Sequence, residues 1–142
     1  MERSSRALVE RFYYDVWDRH DRTAAREILH AEFRFRASLG PERVGADGFI
    51  EYLDAIHQAL GGYTSVIDDL VDTGTRAAVR LRFSGTHRDT FFGVPATGRH
   101  IVWAGAAFFT TDGRQITDVW VLGDIDAVKQ QLGADANAQF RL

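Results

Sequence analysis

Gly85-Thr86-His87-Arg88-Asp89-Thr90-Phe91-Phe92-Gly93-Val94-Pro95-Ala96-Thr97-Gly98-Arg99-His100 is the stretch that decides the fold, together with its continuation IVWAGAAFFTTDGRQITDVWVLGD, Ile101–Asp124. Two long aromatic and aliphatic strands flank the Asp112-Gly113 pair, a strong tight-turn signal. A third strand ends at His87, and the last strand ends at Asp124. The loop between the strand that ends at His87 and the one that begins at Arg99, Arg88 to Gly98, is broken by glycine and proline yet carries Phe91 and Phe92. An ionisable group at the rim of an apolar pocket has a shifted pKa, and shifted pKa values mark chemistry. His87 and Asp124 are therefore the candidate catalytic residues.

Outward from this stretch, strand alternation continues upstream. In Arg76 to Gly85, Val79, Leu81 and Phe83 alternate with Arg80, Arg82 and Ser84. His87 shares the parity of the apolar set and is expected to point to the apolar side. Thr64 to Asp72 is a further strand, joined by the turn Thr73-Gly74. Arg99 to Thr110 and Gln115 to Gly123 complete the series. Ile116, Trp120, Leu122 and Asp124 share one parity.

The amino-terminal half has helical spacing instead. Leu8, Val9, Phe12, Tyr13 and Val16 mark one face of a helix over Ser4 to His20. Tyr13 and Tyr14 cannot both face inward, and Tyr13 fits the apolar face. Asp21 is placed to cap a short helix, Arg22 to Leu29. Glu32 to Ser38 alternates as a half-buried strand with Phe33 and Phe35 inward, and Gly40-Pro41 breaks it. Phe49, Leu53, Ile56 and Leu60 define a third helix, Asp47 to Leu60, which Gly61-Gly62 is expected to end. A short helix, Asp126 to Leu132, closes the chain, and residues 134–142 are expected to form a loose tail. Helices first and strands after give an α+β layout: a strongly bent antiparallel sheet packed on three amino-terminal helices, in one domain spanning 1–142. Val102, Ala104, Ala106 and Phe108 alternate with Trp103, Ala107 and Phe109, so both sheet faces are apolar. A second copy of the chain, as a homodimer, is expected to cover the outer one.

Composition excludes much chemistry. There is no cysteine, so thiol nucleophiles and thiolate metal sites are absent. Lys129 is the only lysine and lies on the short closing helix, a poor place for a Schiff base. His20, His30, His57, His87 and His100 lack metal-ligand spacing, and no nucleotide-binding glycine motif occurs. The expected metal and cofactor content is none. The net charge of −3, without a basic block, argues against nucleic acid. No apolar run approaches the roughly 20 residues that span a bilayer, and the charged start lacks a signal-peptide core. A cytoplasmic location without membrane attachment is expected.

With these elements placed, the chain resembles the SnoaL-like polyketide cyclases, also called predicted ester cyclases, of the nuclear-transport-factor-2-like superfamily. The resemblance rests on Gly85-Thr86-His87, Phe92 to Arg99, Asp112 to Ile116, Trp120 with Asp124 four residues on, and Gln131-Leu132-Gly133. It implies a cone-shaped α+β barrel open at one end to an apolar molecule, and ring closure by intramolecular aldol chemistry without a cofactor. It also implies that Asp124 is the acid/base, while His87 matches the Gly-Thr-His motif. A second histidine of such aldol cyclases aligns near Thr110, where this chain has none, so isomerisation, hydroxylation and pyran-ring closure also stay open.

The residues themselves admit bland readings beside these. Asp124 serves either as an acid/base or as an N-cap of the helix that follows it. His87 serves either the pocket or a backbone hydrogen bond. Phe12, Tyr13, Trp17, His57, Phe92, Trp103 and Trp120 are candidate substrate-binding residues, with core packing as the other reading. The functional reading is a cyclase or isomerase moving protons on a polyketide-like or polycyclic apolar metabolite. A hydrolase or hydratase in which Asp124 activates water is one alternative. A non-catalytic binding module for an apolar metabolite or a partner protein is the other.

Overall fold

The computed structural model describes residues 3–38 and 41–141. The first helix begins as α1, Ser5–Glu10, with the Ser4 hydroxyl accepting from the Ala7 N–H at 3.1 Å. It then widens into a π-helical segment, Arg11–Trp17, in which the Asp18 N–H reaches back five residues to the Tyr13 carbonyl at 2.9 Å. The wider turn buries Phe12, Tyr13, Val16 and Trp17 together. As the alternation of faces requires, Tyr13 is buried and Tyr14 is exposed.

Asp21 caps α2, Arg22–Ile28, through Oδ1 to the Ala24 N–H at 2.9 Å. Strand β1, Leu29–Arg36, starts three residues before the expected strand. Its expected end, Gly40-Pro41, falls partly outside the described residues. A two-residue strand β2, Arg43–Val44, leads into α3, Gly45–Ala59. The chain then runs directly into β3, Leu60–Asp72. The Gly61-Gly62 pair does not stop the helix. It forms a bulge at the start of β3, where the register against β4 shifts between Gly61 and Thr64 and Gly62 takes φ +62°. Strands β4, Arg76–His87, β5, His100–Thr111, and β6, Ile116–Gly123, follow. Helix α4, Ile125–Leu132, comes last.

The six strands form one curved, open sheet in the order β2-β1-β6-β5-β4-β3. All neighbours are antiparallel except β1 and β6, which run parallel. The α+β arrangement of a bent sheet wrapped on helices is as expected, but the sheet is mixed and does not close on itself. Alternation within β1 says which side chains face inward. It does not say which strand, more than 80 residues away, becomes the neighbour.

The core is aromatic. Phe12 meets Phe49 at 5.3 Å and Phe109 at 5.4 Å between ring centroids, and Phe33 and Phe35 close on Phe49 from β1. Burying each such ring contributes roughly 1.5–3 kcal/mol, and the edge-on pairs, which are all of these but Phe12–Phe49, add about 0.5–1.5 kcal/mol each. Strand β3 is an edge strand, and unpaired edge groups invite wrong partners. The first helix covers this edge with side chains. Arg6 donates to the Leu70 carbonyl at 3.2 Å, the Tyr14 hydroxyl accepts from the Ile67 N–H at 3.2 Å, and Asp18 Oδ1 accepts from the Ser65 N–H at 2.7 Å.

Burial pushes the Asp18 carboxyl up to about 6, against the lowering effect of its Ser65 hydrogen bonds. A carboxyl with a raised folded pKa stabilises the fold below its ordinary value of 3.8, and that contribution is lost as pH rises through about 6. Asp18→Asn keeps an oxygen for the Ser65 N–H and never ionises. It is expected to melt above the wild type at pH 8, with the gap shrinking by pH 4. A gap that stays constant across this range in thermal melts would contradict the assignment.

Candidate functional site

The concave face of the sheet and the first helix enclose a cavity of about 60 Å³. The π-helical turn supplies Phe12, Tyr13 and Trp17, and α3 supplies Tyr52 and Ile56. From the sheet come Phe35, Tyr63, Phe83 and Trp103. Phe91 and Phe92 of the β4–β5 loop, α4 and Phe140 close the mouth. One wall is a continuous run of rings: Trp17 to Tyr63 at 5.0 Å, Tyr63 to Phe83 at 6.3 Å, Phe83 to Trp103 at 5.4 Å. Gly105 makes room for this wall, because a Cβ there would sit 2.5 Å from the Phe83 ring. At Gly105 the missing side chain therefore serves ring packing.

Polar atoms in the cavity are few. The Ser38 hydroxyl accepts from the Gly123 N–H at 2.6 Å. The Tyr13 hydroxyl is buried and has no hydrogen-bond partner. Leaving such a group unsatisfied costs about 1–3 kcal/mol. Burial also pushes the Tyr13 phenol far above its ordinary value, so it stays protonated and is held as a hydrogen-bond donor. Burial raises Tyr52 to about 12, against the pull of Arg43, and raises Tyr63 well above the ordinary phenol. Among the described residues lining the cavity, these three tyrosines are the titratable groups.

The two expected catalytic residues are elsewhere. Asp124 is exposed and caps α4, its Oδ1 accepting from the Ala127 N–H at 3.1 Å. The cause is a bulge in β6. Thr111 pairs with Ile116 and Thr110 with Asp118, so Thr117 is an extra residue. An extra residue in a strand inverts the parity beyond it. Ile116 points in, and after the bulge Val119 points in while Trp120 and Leu122 point out. Asp124 follows on the outer side. Trp120 leaves the candidate binding set for the same reason; it is 41% exposed, under the Arg36 guanidinium at 4.6 Å.

His87 has the expected parity and is fully buried, but it does not line the cavity. The β4–β5 loop folds beneath it and occupies both ring nitrogens. Nε2 donates to the Val94 carbonyl at 3.1 Å, which fixes the proton there. Nδ1 then accepts from the Thr97 hydroxyl at 2.8 Å and the Thr97 N–H at 3.2 Å. His87 is a clip for the loop that carries Phe91 and Phe92. His57 stands behind the wall. Its Nε2 donates to the Trp17 carbonyl at 2.6 Å, its ring stacks on His20 at 4.1 Å, and burial lowers its pKa. The other binding candidates, Phe12, Tyr13, Trp17, Phe92 and Trp103, do line the cavity.

Sequence reasoning missed Tyr52, Tyr63 and Phe140. Tyr52 lies three residues from Phe49 and four from Ile56, and that spacing alone places it on the apolar face of α3. Tyr63 was hidden behind the glycine pair, and Phe140 lay in the segment expected to be loose.

An open curved sheet wrapped on helices around one apolar cavity defines the α+β cone class. The chain belongs to the SnoaL-like polyketide cyclase family, whose model matches residues 7–132. Solved structures of the same fold include a protein from Jannaschia sp. CCS1, provisionally assigned as a SnoaL-like polyketide cyclase. It is 21% identical, with a TM-score of 0.83 over 95% of this chain and 99% of that one. TsrD from Streptomyces laurentii is 25% identical, with a TM-score of 0.80 over 92% and 95%. A protein with a ketosteroid isomerase-like fold from Catenulispora acidiphila, solved in complex with trimethylamine, is 15% identical with a TM-score of 0.78 over 92% and 95%. No curated protein matches the sequence. Among the described residues no helix is long and apolar enough to cross a membrane, and no cluster of His, Asp and Glu could hold a metal ion.

The capping assignment for Asp124 is testable by stability alone. Asp124→Ala is expected to lose about 1 kcal/mol, and Asp124→Asn much less, because Asn is itself a good N-cap. Chemical denaturation measures both. Equal losses in the two variants would show that the cap is not what Asp124 contributes.

Proposed function

We propose that this protein is a cofactor-independent cyclase or isomerase for a polyketide-like or polycyclic apolar metabolite, and that the Tyr13 hydroxyl polarises the reacting carbonyl. The observation that carries the reading is a buried, partnerless, protonated phenol in an aromatic-walled cavity. Such a donor costs stability in the empty protein, and a ligand oxygen removes that cost. A donor fixed where negative charge develops lowers the barrier without reorganising.

Ring closure suits these groups. A 1,3-dicarbonyl unit enolises readily, so the nucleophile needs little help from a protein base. The enol carbon attacks the carbonyl held by Tyr13, one C–C bond forms, and the carbonyl π-electrons move to oxygen. The enol O–H proton ends on the new hydroxyl, directly or through Tyr13, which is left protonated. The aromatic walls hold the chain in the folded shape that brings the two carbons together. Water activation by Asp124 has lost its support, because Asp124 is not in the cavity. Ligand binding without chemistry is the second reading, favoured by the lack of a carboxylate or imidazole among the described lining residues.

Tyr13→Phe separates the two readings. Removing one hydroxyl is expected to raise stability by about 1–3 kcal/mol, since the buried orphan goes. If the protein is a cyclase, turnover of its substrate falls roughly 10²–10³-fold, the usual loss of one oxyanion donor. A variant that binds normally and turns over normally would remove Tyr13 from the chemistry.

We also infer a homodimer formed through the outer sheet face. Phe108, Trp120, Leu122 and Val102 are exposed there, and Phe108 and Trp120 lie 5.9 Å apart between centroids. Contiguous exposed apolar surface of this kind marks an interface. The protein is expected to sediment as a dimer at micromolar concentration, and Phe108→Asp as a monomer. A monomeric wild type would exclude this interface.

A further inference from the structure

The cavity offers about 60 Å³, whereas sites for ligands of drug size hold roughly 300–1,000 Å³. A fused-ring molecule does not fit unless a wall moves. The wall most weakly held is the segment after α4. Its described hydrogen bonds are local: Ala134 N–H to the Lys129 carbonyl, Ala138 N–H to the Asp135 carbonyl, and Lys129 Nζ to the Ala136 carbonyl at 3.1 Å. Asp135, Ala136, Asn137, Gln139 and Arg141 are exposed. Ala134 and Ala138 touch the core with small side chains, and the one large apolar group that holds its described far end to the body is a ring. Phe140 sits between Phe91 at 5.4 Å, Tyr52 at 5.9 Å and Phe92 at 6.0 Å. It meets Phe91 and Tyr52 edge-on, at 79° and 86°.

We propose that Phe140 is an aromatic plug and a specificity-determining residue: it fills, from within the chain, the place in the mouth that one ring of a fused-ring ligand takes. The proposal rests on the reading of this cavity as the ligand site. The clamp of Phe91, Phe92 and Tyr52 accepts an aromatic ring from either source, so the two compete. The plug leaves readily because few groups beyond α4 anchor it. It favours ligands whose rings match the clamp, since a ligand without such a ring gains nothing by displacing Phe140. Apparent affinity is then the intrinsic affinity reduced by the fraction of unplugged protein.

The test uses 2-naphthol as the probe, with binding followed by stopped-flow quenching of tryptophan fluorescence in the wild type, Phe140→Ala and Phe140→Trp. Thermal melts show that each variant is folded. With a plug, Phe140→Ala is expected to associate roughly ten-fold faster and to bind more tightly, because the closed fraction is removed. Phe140→Trp, with a larger ring in the clamp, is expected to associate more slowly, and it decides the matter should the alanine variant fail to fold. Equal association rates in all three overturn the plug and leave the site reading standing. Weaker binding by Phe140→Ala also overturns the plug, since Phe140 would then be a wall that contacts the ligand. No binding by any of the three removes both the plug and the site reading.

Discussion

The i to i−5 hydrogen bond from the Asp18 N–H to the Tyr13 carbonyl, inside the π-helical turn Arg11–Trp17, is the constraint on which the rest depends. A regular helix advances about 100° per residue and spreads Phe12, Tyr13, Val16 and Trp17 over an arc of about 140°, with Tyr14 and Asp18 on another side. The wider turn, which advances less per residue, tightens that arc. One side of it makes the aromatic floor of the cavity, and the other satisfies the Ser65 and Ile67 N–H groups of an edge strand. A π-turn forfeits some hydrogen-bond quality, and such turns recur at functional sites. Here the turn carries Tyr13, whose phenol has no partner, in the lining of an apolar cavity.

Most of the fold was legible in the sequence because period and punctuation carry it. The alternation Val79, Leu81, Phe83 gave β4, the Asp112-Gly113 pair joined β5 to β6, and Asp21 started α2. What alternation cannot encode is pairing and local slippage. Nothing in β1 announces that its neighbour is β6 or that the two run parallel. Thr117 is an ordinary strand residue, and only the register between Thr111 and Ile116 reveals that it is extra. The Gly61-Gly62 pair is equally ambiguous. Glycine permits both a helix stop and a positive-φ bulge, and the direct entry of α3 into β3 selects the bulge.

The candidate site was legible in its apolar part and misread in its polar part. Phe12, Tyr13, Trp17 and Trp103 follow from the helix and strand patterns and Phe92 from its place in a loop broken by glycine and proline, and they line the cavity. Asp124 and His87 were chosen by the same parity argument joined to a family resemblance. For Asp124 the argument failed at a single bulge. For His87 the parity was right, but a buried imidazole is satisfied by whatever polar atoms reach it first, and the loop residues Val94 and Thr97 did. Tyr13 stood among the substrate-binding candidates from the start, because among the apolar positions read on that helix face it alone carries a hydroxyl. Membership of the SnoaL-like family accords with a small-molecule ligand, and the proposed chemistry is built on the few polar atoms among the residues that line the cavity.

The central claim is that the Tyr13 hydroxyl is the polar recognition point of this cavity. A crystal structure of the protein with 2-naphthol bound tests it most directly. The account predicts naphthol inside the cavity, its oxygen-bearing ring toward Tyr63, Phe83 and Trp103 and its other ring toward the mouth, with its oxygen about 2.5–3.0 Å from Tyr13 Oη, the range of an O–H···O hydrogen bond. Naphthol bound in the cavity with its oxygen turned away from Tyr13, or bound only on the outer sheet face, would contradict it.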